Sequence, residues 1–572
     1  MDLSFSKNAV TILTQWFRRS ANVTTNVKED VRRPPYPCTK IDTLPSASPE
    51  DEGIESARIL KYYERLCREP AIKMQTVIIA RNGRILSRGH FYPYSTDIWH
   101  VSYSLAKSLT GLAVGLLYDD GLISLDDKLI DIIKDVPPAA RLNHRTTTVR
   151  HLLTMQTGVI FNEAGAITET DWVRAYLESG LKFRPGTSFE YNSMNTYMLA
   201  AIVKTVSGKG VLELLKDRVF TPMGIKNIYW EKCPKGIEKG GWGIYYYPDD
   251  VLKIGLLYLN GGVWEGQRLI SEKWIAESTK KQTASPAETG IYDYGYQIWC
   301  KEDRSTYLFN GMFGQNLIVF PKTNIMIATT AGIDETFQNS PLYTITEKFF
   351  GTPYRPRAHL DPAPDELVRL REAEKNLVME NSDAFLYKDA SGCASFAKLN
   401  GTYTVSAADG TGLSIMPELY QLVHNNFAEG LRELELNIGA DGGTLTTLEG
   451  GTKHRIPFGF GEAVPGCAVY GKESLLTSSF ASVIDEDGKK KLRVTVCFPE
   501  LPNIRYITID GGDGAIDVRW AESPGYDFLQ VMIDRTVLGK IAVDKRAKAA
   551  GADFLAKRVR FFIEPTVSMT KK

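Results

Sequence analysis

The sequence is short of cysteine, carries no net charge and contains no long hydrophobic run. Its seven cysteines among 572 residues are scattered, with no C-x-x-C pair and no histidine at metal-ligand spacing. Neither a zinc site nor a disulfide framework is expected, and a reduced, cytoplasmic protein is favoured. Basic and acidic residues number 68 each, so the chain lacks the positive field that attracts nucleic acid or an anionic membrane.

No stretch is long enough to be a transmembrane segment. The apolar run Leu112–Leu117 is followed closely by Asp119, well short of the roughly 18 residues that a spanning helix needs. The opening stretch 9–17 is amphipathic as a helix, so it could lie on a membrane. Docking on the protein's own body is the favoured interpretation. The stretch is also too short and too interrupted for a secretory signal.

The pattern along the chain predicts two folded units. Residues 48–350 mix helical and strand-like segments after an N-terminal extension, 1–47, which indicates an α+β domain. Residues 351–390 have the prolines and the charged helix of a linker. A period of two over 391–535 predicts an antiparallel β-domain, either a barrel or a sandwich. The tail 536–572 is basic, and a solvated helical face is favoured there over an anionic-partner site.

Three elements are predicted in detail. The Asn82-Gly83 turn predicts a hairpin over Met74–Phe91. Helical apolar spacing predicts a buried helix over Ser104–Tyr118, and Asn316–Ile327 is predicted as a strand. Because helices are enclosed by N- and C-terminal strands, the sheet is expected to be completed by distant parts of the chain.

The strongest chemical signal is Ser104-Leu105-Ala106-Lys107 at the start of the buried helix. A spacing of three places the hydroxyl and the amine on one helix face, within reach of each other. A serine hydroxyl needs a base to become a nucleophile, and apolar surroundings lower the pKa of a lysine toward neutrality. The alternative is a chance S-x-x-K on a solvated helix face.

Four further signals follow in one order along the chain. They are the runs His151–Gly158, Phe183–Thr187, Tyr191–Ser193 and Asn310–Asn316. With them, residues 48 to 350 resemble the superfamily of serine β-lactamases and D-alanyl-D-alanine peptidases, particularly class C β-lactamases, related esterases and 6-aminohexanoate-dimer hydrolases. The resemblance implies a β-lactamase/transpeptidase-like domain, an antiparallel sheet with a helical cluster. Many members also bear a C-terminal β-domain that shapes or covers the cleft.

The resemblance also implies catalytic roles. Ser104 matches the acylated nucleophile and Lys107 its base partner, while Tyr191, in a Tyr-x-Ser motif with Ser193, matches the proton shuttle to the leaving group. Which of Lys107 and Tyr191 is the general base stays open. Such an acyl-enzyme mechanism acts on a small molecule and requires no metal or cofactor. The oligomeric state is not indicated.

The third family motif departs from the pattern. Met312-Phe313-Gly314, followed by Gln315, stands where relatives carry Lys-Thr-Gly or His-x-Gly to bind a substrate carboxylate. Gly314 still permits close approach, and the backbone amides of Gln315 and Ser104 are expected to form the oxyanion hole. The missing cation favours a neutral ester or amide over penicillin or a D-alanyl peptide.

The substrate pocket is less well defined by the sequence. Aromatic residues near the motifs favour an apolar acyl or aryl group. The predicted substrate-binding residues are Ser193, Asn195, Trp172, Trp242, Tyr245, Phe313 and Gly314, and each aromatic one is equally well explained as core. The leading hypothesis is a serine hydrolase, an esterase or amidase. The alternatives are a true β-lactamase or D-amino-acid peptidase, and a catalytically idle binding protein on the same fold.

Overall fold

The computed structural model describes residues 33–37, 42–166, 169–379, 392–405, 413–424, 426–470, 473–512, 514–525 and 564–572. Its α-helices are α1 (Ser56–Cys67), α2 (Ala106–Asp119), α3 (Leu129–Ile132), α4 (Pro138–Asn143), α5 (Val149–Leu153), α6 (Glu163–Ala166), α7 (Trp172–Glu178), α8 (Ser193–Ser207), α9 (Val211–Leu215), α10 (Pro248–Leu259), α11 (Glu272–Ser278), α12 (Pro341–Phe350), α13 (Pro364–Lys375) and α14 (Glu418–His424). The predicted amphipathic stretch 9–17 lies outside the described residues.

The strands belong to two large sheets and two small ones. Those of the α+β domain are β1 (Met74–Arg81), β2 (Arg84–His90), β3 (His100–Val101), β4 (Tyr229–Trp230), β5 (Ile244–Tyr246), β6 (Val263–Trp264), β7 (Gln267–Arg268), β8 (Asp293–Tyr294), β9 (Trp299–Cys300), β10 (Tyr307–Gly311), β11 (Gln315–Phe320) and β12 (Ile325–Ala331). Those of the C-terminal unit are β13 (Gly401–Val405), β14 (Leu431–Ile438), β15 (Gly442–Glu449), β16 (Thr452–Phe460), β17 (Val464–Tyr470), β18 (Glu473–Glu486), β19 (Lys489–Cys497), β20 (Ile504–Gly512), β21 (Ala515–Ser523) and β22 (Thr566–Lys571).

The α+β domain is built on a seven-stranded antiparallel sheet. Its strand order is β2-β1-β12-β11-β10-β9-β8, so strands from both ends of the domain meet in the middle, as the sequence predicts. Asn82 and Gly83 both have positive φ and turn the chain between β1 and β2, which confirms the predicted hairpin. β3, β5 and β4 form a separate small sheet.

The strand predicted over Asn316–Ile327 is two strands. A turn at Pro321–Thr323 separates β11 from β12, and it ends at Asn324 with a φ of 53°. Proline has no amide hydrogen to donate to a ladder, and asparagine tolerates the left-handed conformation. The two strands then pair with each other in antiparallel register. The prediction of one continuous strand is therefore wrong.

Helix α2 occupies the centre of the α+β domain. Every residue from Ala106 to Leu117 is buried, and α8 packs against it. The predicted buried helix is confirmed, although it begins two residues later than expected. In the part of the chain that the structure describes, none of the helices combines the length and the apolar character that a membrane span needs.

The C-terminal unit is a closed barrel. Its strands follow the order β16-β15-β14-β13-β22-β21-β20-β19-β18, and a parallel pairing of β16 with β18 closes the sheet. This pairing decides between the predicted barrel and sandwich in favour of the barrel. β17 pairs with β18 as an added strand.

The barrel takes its last strand from beyond residue 535, where the sequence prediction ended the β-domain. β22 pairs with β13 on one side and β21 on the other. Val567 and Met569 are buried and alternate with exposed neighbours, as a strand with one face on a core requires. Six residues in a basic tail give too short an alternation to detect. The domain boundaries themselves stay predictions.

The two units share a buried interface. Tyr103, Tyr245 and Phe313 of the α+β domain belong to the same apolar cluster as the barrel interior. Arg33, from the predicted N-terminal extension, is also buried there and forms ion pairs with Glu473 and Glu500 of the barrel. The barrel is therefore packed against the domain that carries the predicted catalytic residues.

Candidate active site

Ser104 and Lys107 meet at the first turn of α2. The carbonyl of Ser104 accepts a hydrogen bond from the amide of Lys107 at 3.0 Å, so the chain turns before α2 begins and the two side chains share a face. Nζ of Lys107 lies 2.8 Å from Oγ of Ser104. Ser104 is partly exposed, whereas Lys107 is only 1% exposed. The hydroxyl can therefore meet a substrate while the amine stays out of water.

Two further oxygens hold the amine of Lys107. Nζ lies 2.8 Å from Oγ of Ser193 and 2.9 Å from the carbonyl oxygen of Gly241. A Cβ on Gly241 would lie 3.3 Å from Nζ and 3.0 Å from Cβ of Ser193, so this close approach favours glycine.

The same three contacts suit both protonation states of Lys107. An ammonium donates to Ser104, Ser193 and Gly241 together, since it has three N–H groups. A neutral amine donates to Ser193 and Gly241 and presents its lone pair to the hydroxyl of Ser104. Burial lowers the pKa of Lys107 to about 7, and the carboxylate of Glu163 opposes that fall. Near neutral pH a large fraction of the side chain is therefore uncharged.

Tyr191 adds a proton-bearing hydroxyl to this pair. Its side chain lies close enough to that of Ser104 for the two hydroxyls to interact, and Nζ of Lys107 lies 4.8 Å from the centroid of its ring. The ring stacks on Trp299, with centroids 5.6 Å apart and an interplanar angle of 22°. Burial raises the pKa of Tyr191 above its usual value, and the interaction with Ser104 opposes the rise. Tyr191 is accordingly a neutral phenol at pH 7.

Glu163 places a carboxylate beside the same cluster. Its Oε1 accepts the backbone N–H of Ser193 at 2.8 Å, and its charge favours the ammonium form of Lys107. The preceding loop is fixed by Asn192, whose Nδ2 donates to two carbonyls within residues 159–161. No motif or spacing in the sequence pointed to Glu163, because it comes from a separate short helix, α6.

The hairpin predicted to complete the oxyanion hole lies against the turn that bears Ser104. Gly311 pairs with Gln315 across the hairpin, and a Cβ on Gly311 would lie 3.3 Å from the amide nitrogen of Leu105. Gly314 has a φ of 92°, and a Cβ there would lie 2.9 Å from a side chain of β12. Both facts favour glycine at that position. The pairing of the Gln315 and Ser104 amides around an oxyanion stays a prediction.

The other predicted substrate-binding residues are not all at the cluster. Ser193 contacts Lys107 directly, as described above. Asn195 is buried, and its Oδ1 accepts hydrogen bonds from Thr157 and Tyr176, each at 2.7 Å. It therefore holds neighbouring elements together.

The predicted aromatic residues are buried. Trp172 and Trp242 stack on each other with centroids 5.7 Å apart. The hydroxyl of Tyr245 lies 2.9 Å from that of Tyr420 in the barrel, and Phe313 packs edge-on against Tyr103 at 5.0 Å. These residues support the site from within the core, and their contact with a substrate remains a prediction.

Other aromatic residues, which sequence reasoning missed, contact Tyr191. Trp299 stacks on its ring, and Tyr294 and Phe337 meet it edge-on at 6.1 Å and 5.3 Å. Phe337 is partly exposed, whereas Trp299 and Tyr294 are buried. These residues lie far from Tyr191 in the chain, so only the folded sheet brings them together.

Comparison with known proteins identifies a family for part of the chain. The family model described as Beta-lactamase matches residues 71–339. The 6-aminohexanoate-dimer hydrolase of Paenarthrobacter ureafaciens is 26% identical over 331 residues, which cover 52% of this chain and 79% of that protein. Penicillin-binding protein 4 of Amycolatopsis lactamdurans is 30% identical over 146 residues, 25% of this chain and 38% of its own. A crystal structure of a family VIII carboxylesterase overlaps 54% of this chain and 99% of its own, at 18% identity and a TM-score of 0.44.

Proposed function

Because residues 71–339 form a domain of the serine β-lactamase and penicillin-binding-protein superfamily, we propose that the protein is a serine hydrolase that forms an acyl-enzyme on Ser104. Its substrate is an ester or amide with a small, neutral or apolar acyl group. The observation that carries the proposal is the 2.8 Å contact between Nζ of Lys107 and Oγ of Ser104, in which a buried amine faces a partly exposed hydroxyl.

Lys107 is the general base in this proposal. Its uncharged form takes the proton of Ser104 as Oγ attacks the carbonyl carbon of the substrate. The resulting ammonium finds three oxygen acceptors already in place. The fall of the Lys107 pKa to about 7 supports this role, because a base works best when its pKa lies near the working pH.

Tyr191 is the general acid. Its raised pKa keeps the phenol protonated, so it can donate that proton to the leaving oxygen or nitrogen as the tetrahedral intermediate breaks. The ammonium of Lys107 then returns a proton to Tyr191. Water then attacks the acyl-enzyme with the proton transfers reversed: Tyr191 accepts a proton from the water as it passes its own to Lys107, and Lys107 returns a proton to Oγ of Ser104. The carboxylic acid product leaves and Ser104 is regenerated. Transfer of the acyl group to an amine instead of water would use the same steps.

The oxyanion is held by the backbone amides of Ser104 and Gln315. The proposal is supported by the position of the hairpin, whose Gly311 lies against the turn that follows Ser104. Loss of one such donor typically costs ~3 to 4 kcal/mol of transition-state stabilisation. The geometry of this backbone therefore matters more than the missing side chains of the third motif.

A neutral substrate fits the charges of the site. Met312, Phe313 and Gly314 offer no cation for a carboxylate, and Glu163 adds a negative charge beside Lys107. A penicillin or a D-alanyl peptide would bring a carboxylate that finds no cation at the third motif. We therefore place ester and amide substrates before β-lactams.

A reducing, cytoplasmic location is proposed with the function. It is supported by the free thiols of Cys233, Cys300 and Cys497, all of which are buried, since an oxidising compartment favours disulfides. Fractionation of cells that express the full chain tests it, and recovery in a secreted fraction would exclude it.

The function is tested by the hydrolysis of p-nitrophenyl butyrate by the wild-type protein and its Ser104→Ala variant. We expect turnover by the wild type and background rates for the variant. Ser108→Ala is the matched control, because Ser108 lies one turn further along α2 and donates to the carbonyl of Gln297 instead of meeting Lys107. Equal rates for wild type and Ser104→Ala would contradict the proposal. Turnover of a chromogenic cephalosporin instead would favour the β-lactamase alternative.

A further inference from the structure

The segment that follows β12 runs from the hairpin of β10 and β11, which carries the predicted oxyanion-hole residue Gln315, to the aromatic residues beside Tyr191. The amide of Ile333 donates to the carbonyl of Phe313, and the amide of Phe313 donates to the carbonyl of Glu335, both at 3.1 Å. Two residues later, Phe337 reaches the ring of Tyr191. The chain thus runs from the predicted oxyanion hole to the proposed general acid.

Phe337 is held in place by its neighbours. Gln338 is buried. Its backbone N–H donates to the carbonyl of Thr289 at 3.1 Å, and its side-chain Nε2 donates to Oδ1 of Asn310 at 3.0 Å. Asn339 donates to the carbonyl of Glu288 at 2.9 Å. A side chain presented by a fixed segment loses little freedom when a ligand binds against it.

The ring of Phe337 is set against the general acid and is partly open to solvent. It meets Tyr191 edge-on, with an interplanar angle of 89° and centroids 5.3 Å apart, and it lies 6.1 Å from Trp299. Tyr191 in turn interacts with the side chain of Ser104. An atom that receives the proton of Tyr191 is therefore close to an apolar, aromatic surface.

We propose that Phe337 is a specificity-determining residue that binds an uncharged, aryl-bearing leaving group. The inference rests on the proposed function, in which Tyr191 protonates the leaving atom, because the group attached to that atom must then lie beside whatever packs on Tyr191. Aromatic side chains prefer edge-on or offset contacts with other rings, and Phe337 presents a ring to that space. The acyl group, attached to Oγ of Ser104, lies on the other side of the scissile bond.

Three esters separate the two sides of the bond. Benzyl acetate carries its ring on the leaving group, ethyl phenylacetate carries it on the acyl group, and ethyl acetate carries none. Benzyl alcohol and ethanol are alcohols of similar acidity, so the chemical step differs little between them. The kcat/KM of each ester is measured for the wild type, Phe337→Ala and Phe337→Leu.

We expect Phe337→Ala to lower kcat/KM for benzyl acetate by roughly three- to tenfold, the range for loss of one aromatic contact, and to change the values for the other two esters little. Phe337→Leu keeps apolar bulk without a ring and should fall between. Phe189→Ala is the matched control, because Phe189 packs on Tyr294 and Trp299 in the same aromatic cluster, and it should leave the ratio between esters unchanged.

An equal loss for all three esters, or a selective loss for ethyl phenylacetate, would overturn the inference and leave the proposed function standing. Wild-type protein that hydrolyses none of the three esters would instead contradict the proposed esterase activity itself, and the inference with it. Because ratios within one variant are compared, partial unfolding of Phe337→Ala would lower every rate together and would not imitate the expected result.

Discussion

Nδ1 of His424, at the end of α14 in the barrel, lies 2.6 Å from Oε1 of Glu231 in the α+β domain. The other carboxylate oxygen of Glu231 accepts a hydrogen bond from Lys239 at 2.8 Å. Burial alone would raise the pKa of Glu231, but His424 and Lys239 together lower it to about 2. The carbonyl of Lys239 accepts the amide of Gly241, whose own carbonyl holds Lys107. The barrel thus reaches the proposed site through a short chain of contacts.

This buried contact predicts a large loss of stability in His424→Ala. Removal of a hydrogen-bond donor from a buried polar group typically costs about 1 to 3 kcal/mol, because Oε1 of Glu231 is left without its donor while Lys239 still holds the other oxygen. His424→Gln keeps an N–H donor for Glu231 and should lose less. The free energy of unfolding in urea, measured on the full chain, checks both variants.

The control for that prediction is the exposed ion pair between Arg174 and Glu178. Arg174→Ala should cost clearly less than His424→Ala, since water screens an exposed pair. Similar losses for His424→Ala and Arg174→Ala would show that the barrel contact adds nothing to stability, and would remove the physical basis for a barrel that shapes the site.

The sequence could predict the part of the site whose residues are separated by only a few positions along the chain. Ser104 and Lys107 share a face because three residues separate them, and Tyr191 and Ser193 come from one short motif at the start of α8. The structure brings these four side chains together. The hairpin of β1 and β2 and the buried helix are likewise local patterns.

The remainder depends on contacts between distant segments. Gly241 acts through a carbonyl, which every residue possesses, so its side chain gives no signal. Glu163 is a single acid at the start of the four-residue helix α6, and Phe337 meets Tyr191 only because the sheet aligns their segments. The strand Thr566–Lys571 similarly becomes recognisable only when β13 and β21 are placed on either side of it.

The pH dependence of the reaction should report the ionisation of Lys107. The base must be uncharged, and burial lowers the pKa of Lys107 to about 7. We therefore expect kcat/KM for p-nitrophenyl butyrate to rise as pH increases toward 7 and to level off above it, because kcat/KM follows the free enzyme. The part of the profile in which kcat/KM rises is its acidic limb. An acidic limb near pH 10 would mean that the amine of Lys107 is not desolvated, or that another group is titrating.

Glu163→Gln should move that limb to lower pH. The amide oxygen can still accept the N–H of Ser193, but the negative charge that favours the ammonium of Lys107 is lost, so the pKa of Lys107 falls. Glu190→Gln is the control, because Glu190 precedes Tyr191 in the chain but is paired with Lys182. An unmoved limb in Glu163→Gln, or an equal movement in both variants, would contradict the electrostatic role of Glu163.

Tyr191→Phe should separate the acid role from the base role. The variant keeps the ring that stacks on Trp299 and loses only the hydroxyl that meets Ser104. If Tyr191 protonates the leaving group, ethyl butyrate should lose roughly 10²- to 10⁴-fold in kcat/KM, because ethoxide leaves poorly without a proton and kcat/KM reports acylation without the deacylation step that the two esters share. The loss for p-nitrophenyl butyrate should be far smaller, because p-nitrophenolate leaves as an anion. Equal losses for the two esters would instead assign Tyr191 to the activation of Ser104. The control is Tyr294→Phe, which removes a hydroxyl from a ring that contacts Tyr191. It shows how much of any loss comes from packing alone.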